Sequence, residues 1–208
     1  MPTSSALRSG VKNYARYLNV LAGTEPYVAP TLSDFDLLQT EILTSSQASV
    51  TFSSLNSTYG ADYQHLQLRM SARSDNAATW EEIYITFNSA STNYKNHAIW
   101  AQGGSVVAYQ GDTTHIRAFQ GANGNNSPTD AFGASILDIL DAFNTNKNKT
   151  TRALSARLTG DAETRVSFSS GLWINTNAID SITIKPGSSG TTDWLVGCRF
   201  SLYGLKAA

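Results

Sequence analysis

Residues 132–152, FGASILDILDAFNTNKNKTTR, hold the densest apolar run of the chain and then break into Asn, Lys and Thr. They fit two structures, and the choice sets the fold. On helical spacing Ile136, Leu137, Ile139, Leu140 and Phe143 form a stripe with Asp138 and Asp141 opposite. As a strand, Leu137, Ile139 and Phe143 take one face and Ile136 and Leu140 the other. Periodicity alone does not separate the two, so the flanking segments decide.

Those segments alternate. Residues 63–73, YQHLQLRMSAR, place Leu66, Leu68 and Met70 between Gln67, Arg69 and Ser71. Residues 80–88, WEEIYITFN, do the same with Ile83, Ile85 and Phe87, and 194–205 alternate Val196, Cys198, Phe200 and Leu202 against Gly197, Arg199, Ser201 and Tyr203. Period-two patterning sends one face of each to a core. Residues 36–43 and 48–55, joined by the polar turn TSSQ, read as a hairpin, and 152–158, 165–173 and 178–185 supply further strands. Between 89 and 129 short apolar pieces (98–101, 106–109 and 116–119) are separated by Gly103-Gly104, Gly111-Asp112 and GANGNNSPTD, which predicts short strands with long turns. About eleven or twelve strands at near-regular spacing predict an all-β antiparallel β-sandwich of jelly-roll type. In that setting a strand over 132–143, buried on both faces, fits its neighbours better than a lone helix, with 144–149 as an exposed turn and Asp138 and Asp141 on opposite faces.

The composition agrees. Charged residues make up 15 % of the 208, against about 25 % in typical soluble domains, while 41 % are hydrophobic. Fifteen basic and sixteen acidic residues leave a net charge of -1, so no global field draws in nucleic acid or an anionic membrane. Neither partner is expected. Cys198 is the single cysteine, which excludes an intrachain disulfide and points to a buried thiol in a chain that folds in a reducing cytoplasm. No run approaches the ~18 apolar residues of a membrane span, and the first residues lack the apolar core of a signal peptide.

The N-terminal part differs from the rest. Leu7, Val11, Tyr14, Leu18 and Leu21 are spaced four, three, four and three, a heptad seam on a predicted helical arm over 1–23 that Gly23 and Pro26 would stop. Gly10 weakens it by about 1 kcal/mol. The two prolines of 24–35 favour an extended linker leading to a head domain at 36–208. A helix held apart from its head must bury its stripe against other copies, so the seam is the candidate trimerisation and docking arm.

The order of SSQASVTFSSL, YQHLQLRMSAR, FGASILDILDAFNTNKNKTTRAL, SGLWINTNAIDSITI and RFSLYGLK resembles a group of small tail-fibre or virion-surface structural proteins of tailed bacteriophages. The resemblance covers roughly 36–206 and is a pattern of strands. It implies a jelly-roll head assembled as a homotrimer on the virion, a short tail fibre attached to the baseplate and contacting the host surface. A capsid decoration protein and a lectin-like carbohydrate-binding module are the alternatives.

The residues offer no enzyme signature. Paired carboxylates for glycoside hydrolysis need a separation of about 5 to 9.5 Å. Neighbouring strand positions such as Glu81 and Glu82 are expected on opposite faces, and no GxSxG elbow occurs. The chain is expected not to be an enzyme and to need no cofactor. His65, His97 and His115 lack ligand spacing, so no metal is expected within one chain, although one histidine repeated around a three-fold axis could form a site. Tyr94, Trp100 and Tyr109 lie among Asn, Gln and Ser in the loop-rich zone, where exposed rings suit stacking on a host cell-surface glycan. They are the candidate receptor contacts.

Overall fold

The computed structural model describes residues 34–160, 164–187 and 192–206, with Ala22 before them. The chain divides into two units, Met1–Ser33 and Asp34–Ala208. The arm with Leu7, Val11, Tyr14, Leu18 and Leu21, and nearly all of the linker, lie outside the described residues.

Asp34–Ala208 is an antiparallel β-sandwich. Its strands are β1 (Phe35–Ile42), β2 (Val50–Phe52), β3 (His65–Ala72), β4 (Trp80–Phe87), β5 (Tyr94–Gln102) and β6 (Ser105–Thr113), followed by β7 (Ile116–Asn123), β8 (Gly133–Leu140), β9 (Lys149–Arg157), β10 (Arg165–Trp173), β11 (Ile182–Pro186) and β12 (Arg199–Leu205). One short helix, α1 (Leu55–Tyr59), follows β2. The larger sheet runs β1-β12-β3-β8-β9-β10-β5-β6 and the smaller β2-β11-β4-β7.

That order has a simple origin. β1 pairs with β12, β2 with β11, β3 with β8 and β4 with β7, as in one long hairpin. Rolling the hairpin up adds β12 to β3 and β11 to β4. The product is a jelly roll of eight strands. Two hairpins are inserted into it: β5–β6 between β4 and β7, and β9–β10 between β8 and β11. They join each other through β10 and β5 and extend the larger sheet beyond β8.

The core lies between the two four-stranded halves of the roll. Leu66, Leu68, Leu137, Ile139, Phe200 and Leu202 of the larger sheet meet Phe52, Ile83, Ile85, Phe87, Ile182 and Ile184 of the smaller. Burying each such side chain stabilises the fold by about 1.5–3 kcal/mol. Trp194 closes one end, donating its indole N–H to the Ile184 carbonyl at 3.3 Å, and Cys198 is buried beside it with its thiol donating to the Arg73 carbonyl at 3.1 Å.

Several expectations change. β1 and β2 do not form a hairpin, because the chain crosses at 44–47 from one sheet to the other. The zone from 94 to 123 holds three strands of eight or nine residues, longer than its short apolar pieces suggest. Residues 133–140 are a strand, but of its large apolar side chains only Leu137 and Ile139 are buried, while Ile136 is 40 % exposed. Lys149, expected in an exposed turn, is fully buried, and its ammonium donates to the carbonyls of Asn144, Lys147 and Thr176 at 2.5, 2.8 and 3.1 Å. Burial lowers its pKa.

Candidate functional site

The larger sheet changes polarity halfway across. In β12 and β3 the alternation is ordinary: Phe200, Leu202, Leu66, Leu68 and Met70 face the core, and Arg199, Gln67 and Arg69 face outward. In β9, β10 and β5 the buried positions include the polar Thr151, Ser155, Ser167, Ser169 and Asn96 beside Ala98, Ala153, Tyr94 and Trp173, while Leu154, Phe168 and Ile99 are turned to the outside. A half-buried antiparallel sheet normally shows the opposite.

The inner serines have a structural cause. β7 is the last strand of the smaller sheet, so one edge of its backbone lacks a partner strand. Ser135, Ser167 and Ser169 of the facing sheet donate their hydroxyls to the carbonyls of Gly121, Phe119 and Arg117 at 3.2, 2.8 and 3.2 Å. Short hydroxyl side chains require close approach. A Cβ on Gly121 would strike Ser135 and Ser155, and one on Gly133 would strike the Gly121 carbonyl.

Among the described residues the outer face has no such cause. Two adjoining rows cross five strands from β8 to β6. One row is Ile136, Leu154, Phe168, Ile99 and Ala108, and the other is Ala134, Ala156, Val166, Ala101 and Val106. All are apolar. Leu154, Phe168, Ile99 and Val166 are each about half exposed and Val106 is 74 % exposed. Five strands at ~4.8 Å and two rows ~7 Å apart give a footprint of roughly 24 by 14 Å. The next row is polar: His97, Ser170, Arg152, Asp138 and Gln67. Its charges are satisfied internally, with Arg152 Nε on Asp138 at 2.7 Å and the Gln67 amide on the same carboxylate at 2.8 Å.

On the β8–β9 side the face dips into a trough of about 500 Å³ whose lining includes Leu37, Ala134, Ile136, Leu154, Ala156 and Tyr203. Arg69 stands at its rim, its guanidinium 4.8 Å from the Tyr203 ring and 5.1 Å from Phe35. At the far end, β5 and β6 meet in a two-residue turn of Gly103 and Gly104, φ 54° and 82°. Both values lie in the left-handed region that a type I′ hairpin turn requires.

The aromatic candidates fare unequally. Tyr94 is withdrawn as a receptor contact. It is buried, stacks 6.0 Å from Trp173, and its hydroxyl accepts the Phe87 N–H at 2.8 Å. Burial pushes its pKa up to about 12. Trp100 and Tyr109 are half-buried on the inner side of the β5–β6 hairpin, both against Phe119 at 5.9 and 5.0 Å. Arg165 lies over Trp100, and Arg117 is stacked over Tyr109, Phe119 and Tyr84. Arg117 also holds Glu82 at 3.0 Å. Burial raises the Glu82 pKa and the arginine opposes the rise.

The acidic residues divide in the same residue-by-residue way. Glu81 and Glu82, adjacent on β4 beside a register shift in the β4–β7 pairing, are both buried and hold different partners. Glu81 accepts from Ser74 Oγ at 3.1 Å and from the Glu82 N–H at 2.8 Å. Asp141, at φ 52°, ends β8 and accepts from Gln64 and Lys147 at 2.5 and 2.9 Å, bonds that lower its pKa. The histidines sit on separate elements: His65 accepts the Asp141 N–H at 2.9 Å, His97 lies on the outer face, and His115 stacks 3.5 Å from Tyr84. Among the described residues no three His, Cys, Asp or Glu side chains cluster to hold a metal ion. The loop GNNSPTDA before β8 is pinned by Arg73, whose guanidinium donates to the carbonyls of Asn125, Ser127, Pro128 and Ala131 at 2.6–3.2 Å.

No protein-family model matches the chain, and no curated protein matches it.

Proposed function

We propose that the chain is a non-enzymatic structural protein of a tailed-bacteriophage virion: a short homotrimeric tail fibre, attached to the baseplate through the arm at 1–23 and contacting the host cell surface with its head. The observation that supports it most is the outer face of β8, β9, β10, β5 and β6. Ten adjoining apolar positions are gathered there, a patch of the size that is the largest on a typical monomer and is often functional. The jelly-roll fold supports the same reading through the resemblance of its strand segments to virion-surface proteins. Trp100 and Tyr109, half-buried against Phe119, are the residues offered to host sugar rings. Several weak contacts engaged together give strong attachment through effective concentration.

Labelled antibody on intact particles tests the role. Label at the tail is expected, together with loss of adsorption when antibody covers the head. Label on the capsid shell would replace the fibre with a decoration protein, and a chain absent from particles would leave a free carbohydrate-binding module.

A further inference from the structure

We propose that the trough and the apolar rows leading from it bind a long-chain carboxylate, a free fatty acid. Its head sits at Arg69 and Arg199 and its chain lies along Ile136 and Leu154. The site is assigned independently of the virion role above.

The order of residues across the strands carries the inference. One apolar row, Ile136, Leu154, Phe168 and Ile99, begins beside Arg69, which pairs with Ile136. The other, Ala134, Ala156, Val166 and Ala101, begins beside Ser71, which pairs with Arg199 on its other side. Both rows therefore have a cation at the β3–β12 end and none at the β6 end. The apolar track between runs about four strand spacings, or ~19 Å. A surface charged at one end and apolar along its length matches a ligand with an anionic head and a hydrocarbon tail.

The cationic end lacks a counter-charge. Among the described residues neither Arg69 nor Arg199 has a carboxylate within ion-pairing distance. Asp138, the acid on the neighbouring polar row, is already held by Arg152 and Gln67. Arg199 faces Ser71, two residues along β3 from Arg69, and diagonal positions of this kind lie ~7–8 Å apart. Two guanidinium groups that close repel each other, and one carboxylate between them removes the repulsion and takes charge-assisted hydrogen bonds from both. Arg69 is placed in advance: its Nε donates to Gln67 Oε1 at 2.9 Å, and its guanidinium lies over the stacked Phe35 and Tyr203 rings. The Thr40 and Ser201 hydroxyls, 2.7 Å apart, add polar groups at the same end.

Size agrees. A trough of about 500 Å³ lies within the ~300–1,000 Å³ of ligand pockets, which are mainly apolar with a few placed polar groups. Its walls of Leu37, Ile136 and Leu154 are aliphatic, which suits an acyl chain better than a hydroxyl-covered sugar ring.

Calorimetric titration of the full chain with laurate, below its micelle concentration, tests the site. Saturable binding of one laurate per chain is expected. Acetate, a head without a tail, and dodecyltrimethylammonium, a tail with the opposite charge, are expected not to bind. Arg69→Gln with Arg199→Gln is expected to weaken laurate at least tenfold, because hydrogen bonds to charged groups are at stake. Ala134→Phe fills the trough and leaves both arginines in place, and is expected to weaken it as much; circular dichroism should show both variants folded. No saturable laurate binding to the wild type would overturn the proposal. So would binding of the cationic amphiphile as tightly as laurate, or undiminished laurate binding by either folded variant. Sedimentation with phosphatidylglycerol vesicles in a chain that ignores laurate would replace the free acid with a membrane surface.

Discussion

The two halves of the larger sheet share one hydrogen-bond network and opposite polarity. Across β12, β3 and the end of β8 the large inward residues are Leu, Ile, Phe and Met, as a sandwich core demands. Across β9, β10 and β5 the inward residues facing β7 include Thr151, Ser155, Ser167, Ser169 and Asn96, with Tyr94 and Trp173 buried at one end, and the outward ones include Leu154, Phe168, Ile99 and Val166. The difference teaches that alternation identifies a strand without saying which of its faces is the core. In the first half the solvent side is water. In the second half the inside meets a backbone edge, which wants hydroxyls, and the outside is an exposed apolar face.

The contrast breaks most visibly under truncation. Leu68→Ala, in the first half and fully buried, is expected to cost about 2–5 kcal/mol by urea unfolding. Leu154→Ser, on the outer face, is expected to leave monomer stability within about 0.5 kcal/mol. Equal costs would mean that the two faces do not differ as described. Next in size is Lys149→Met: it keeps the apolar stem and leaves the carbonyls of Asn144, Lys147 and Thr176 without their buried donor. A loss of about 3 kcal/mol is expected, and a neutral result would show that the loops at 144–148 and 173–176 hold without it.

Smaller effects sharpen the inner face. Ser167→Leu installs the residue type that a conventional core would carry, and is expected to cost about 1–3 kcal/mol through overpacking and an abandoned Phe119 carbonyl. Ser155→Ala is the matched control. The Ser155 hydroxyl is buried with no hydrogen-bond partner among the described residues, so the change is expected to be neutral or stabilising by up to about 1 kcal/mol. Ser167→Leu matching Ser155→Ala in a melting experiment would refute the role of the hydroxyls.

The smallest effect is a pH slope. Burial, helped by Arg117 and Lys185, lowers the His115 pKa from 6.5 to about 4. The folded state therefore holds this imidazole neutral while the unfolded state protonates it, so its contribution is complete above pH 6.5 and is lost as pH falls to about 4. Glu82, with its raised pKa, works in the opposite sense, so the difference between wild type and His115→Gln is the quantity to measure. Melting curves at several pH values should show a shallower acid-side decline for the variant. Parallel curves would refute the shift.

The strands themselves were well marked in the sequence. Residues 165–173 read as a strand and are β10, and 80–88 correspond to β4 within one residue, because period-two alternation is a local property. What failed depended on partners. The polar TSSQ at 44–47 is equally suited to a hairpin and to an arch between sheets, and only pairing with β12 and β11 distinguishes them. Tyr94 was read as exposed because its neighbours are polar, yet alternation within β5 sends it inward beside Trp173. The outer face did leave a trace in RVSFSSG, where serine alternates with Val166 and Phe168. Alternation alone does not say which of the two sets faces the core.

β12 carries one further consequence. It lies between β1 and β3, formed from residues that precede it by well over a hundred positions, and it ends with the Lys206 N–H donating to the Asp34 carbonyl at 3.1 Å. Until it is synthesised, two strands of the larger sheet have no common neighbour. Long-range pairings of this kind form slowly. The larger sheet therefore closes only after β12 has left the ribosome. A chain broken off before residue 199 is left with open edges for proteases to find, so synthesis through β12 is a condition of resistance that the fold itself imposes.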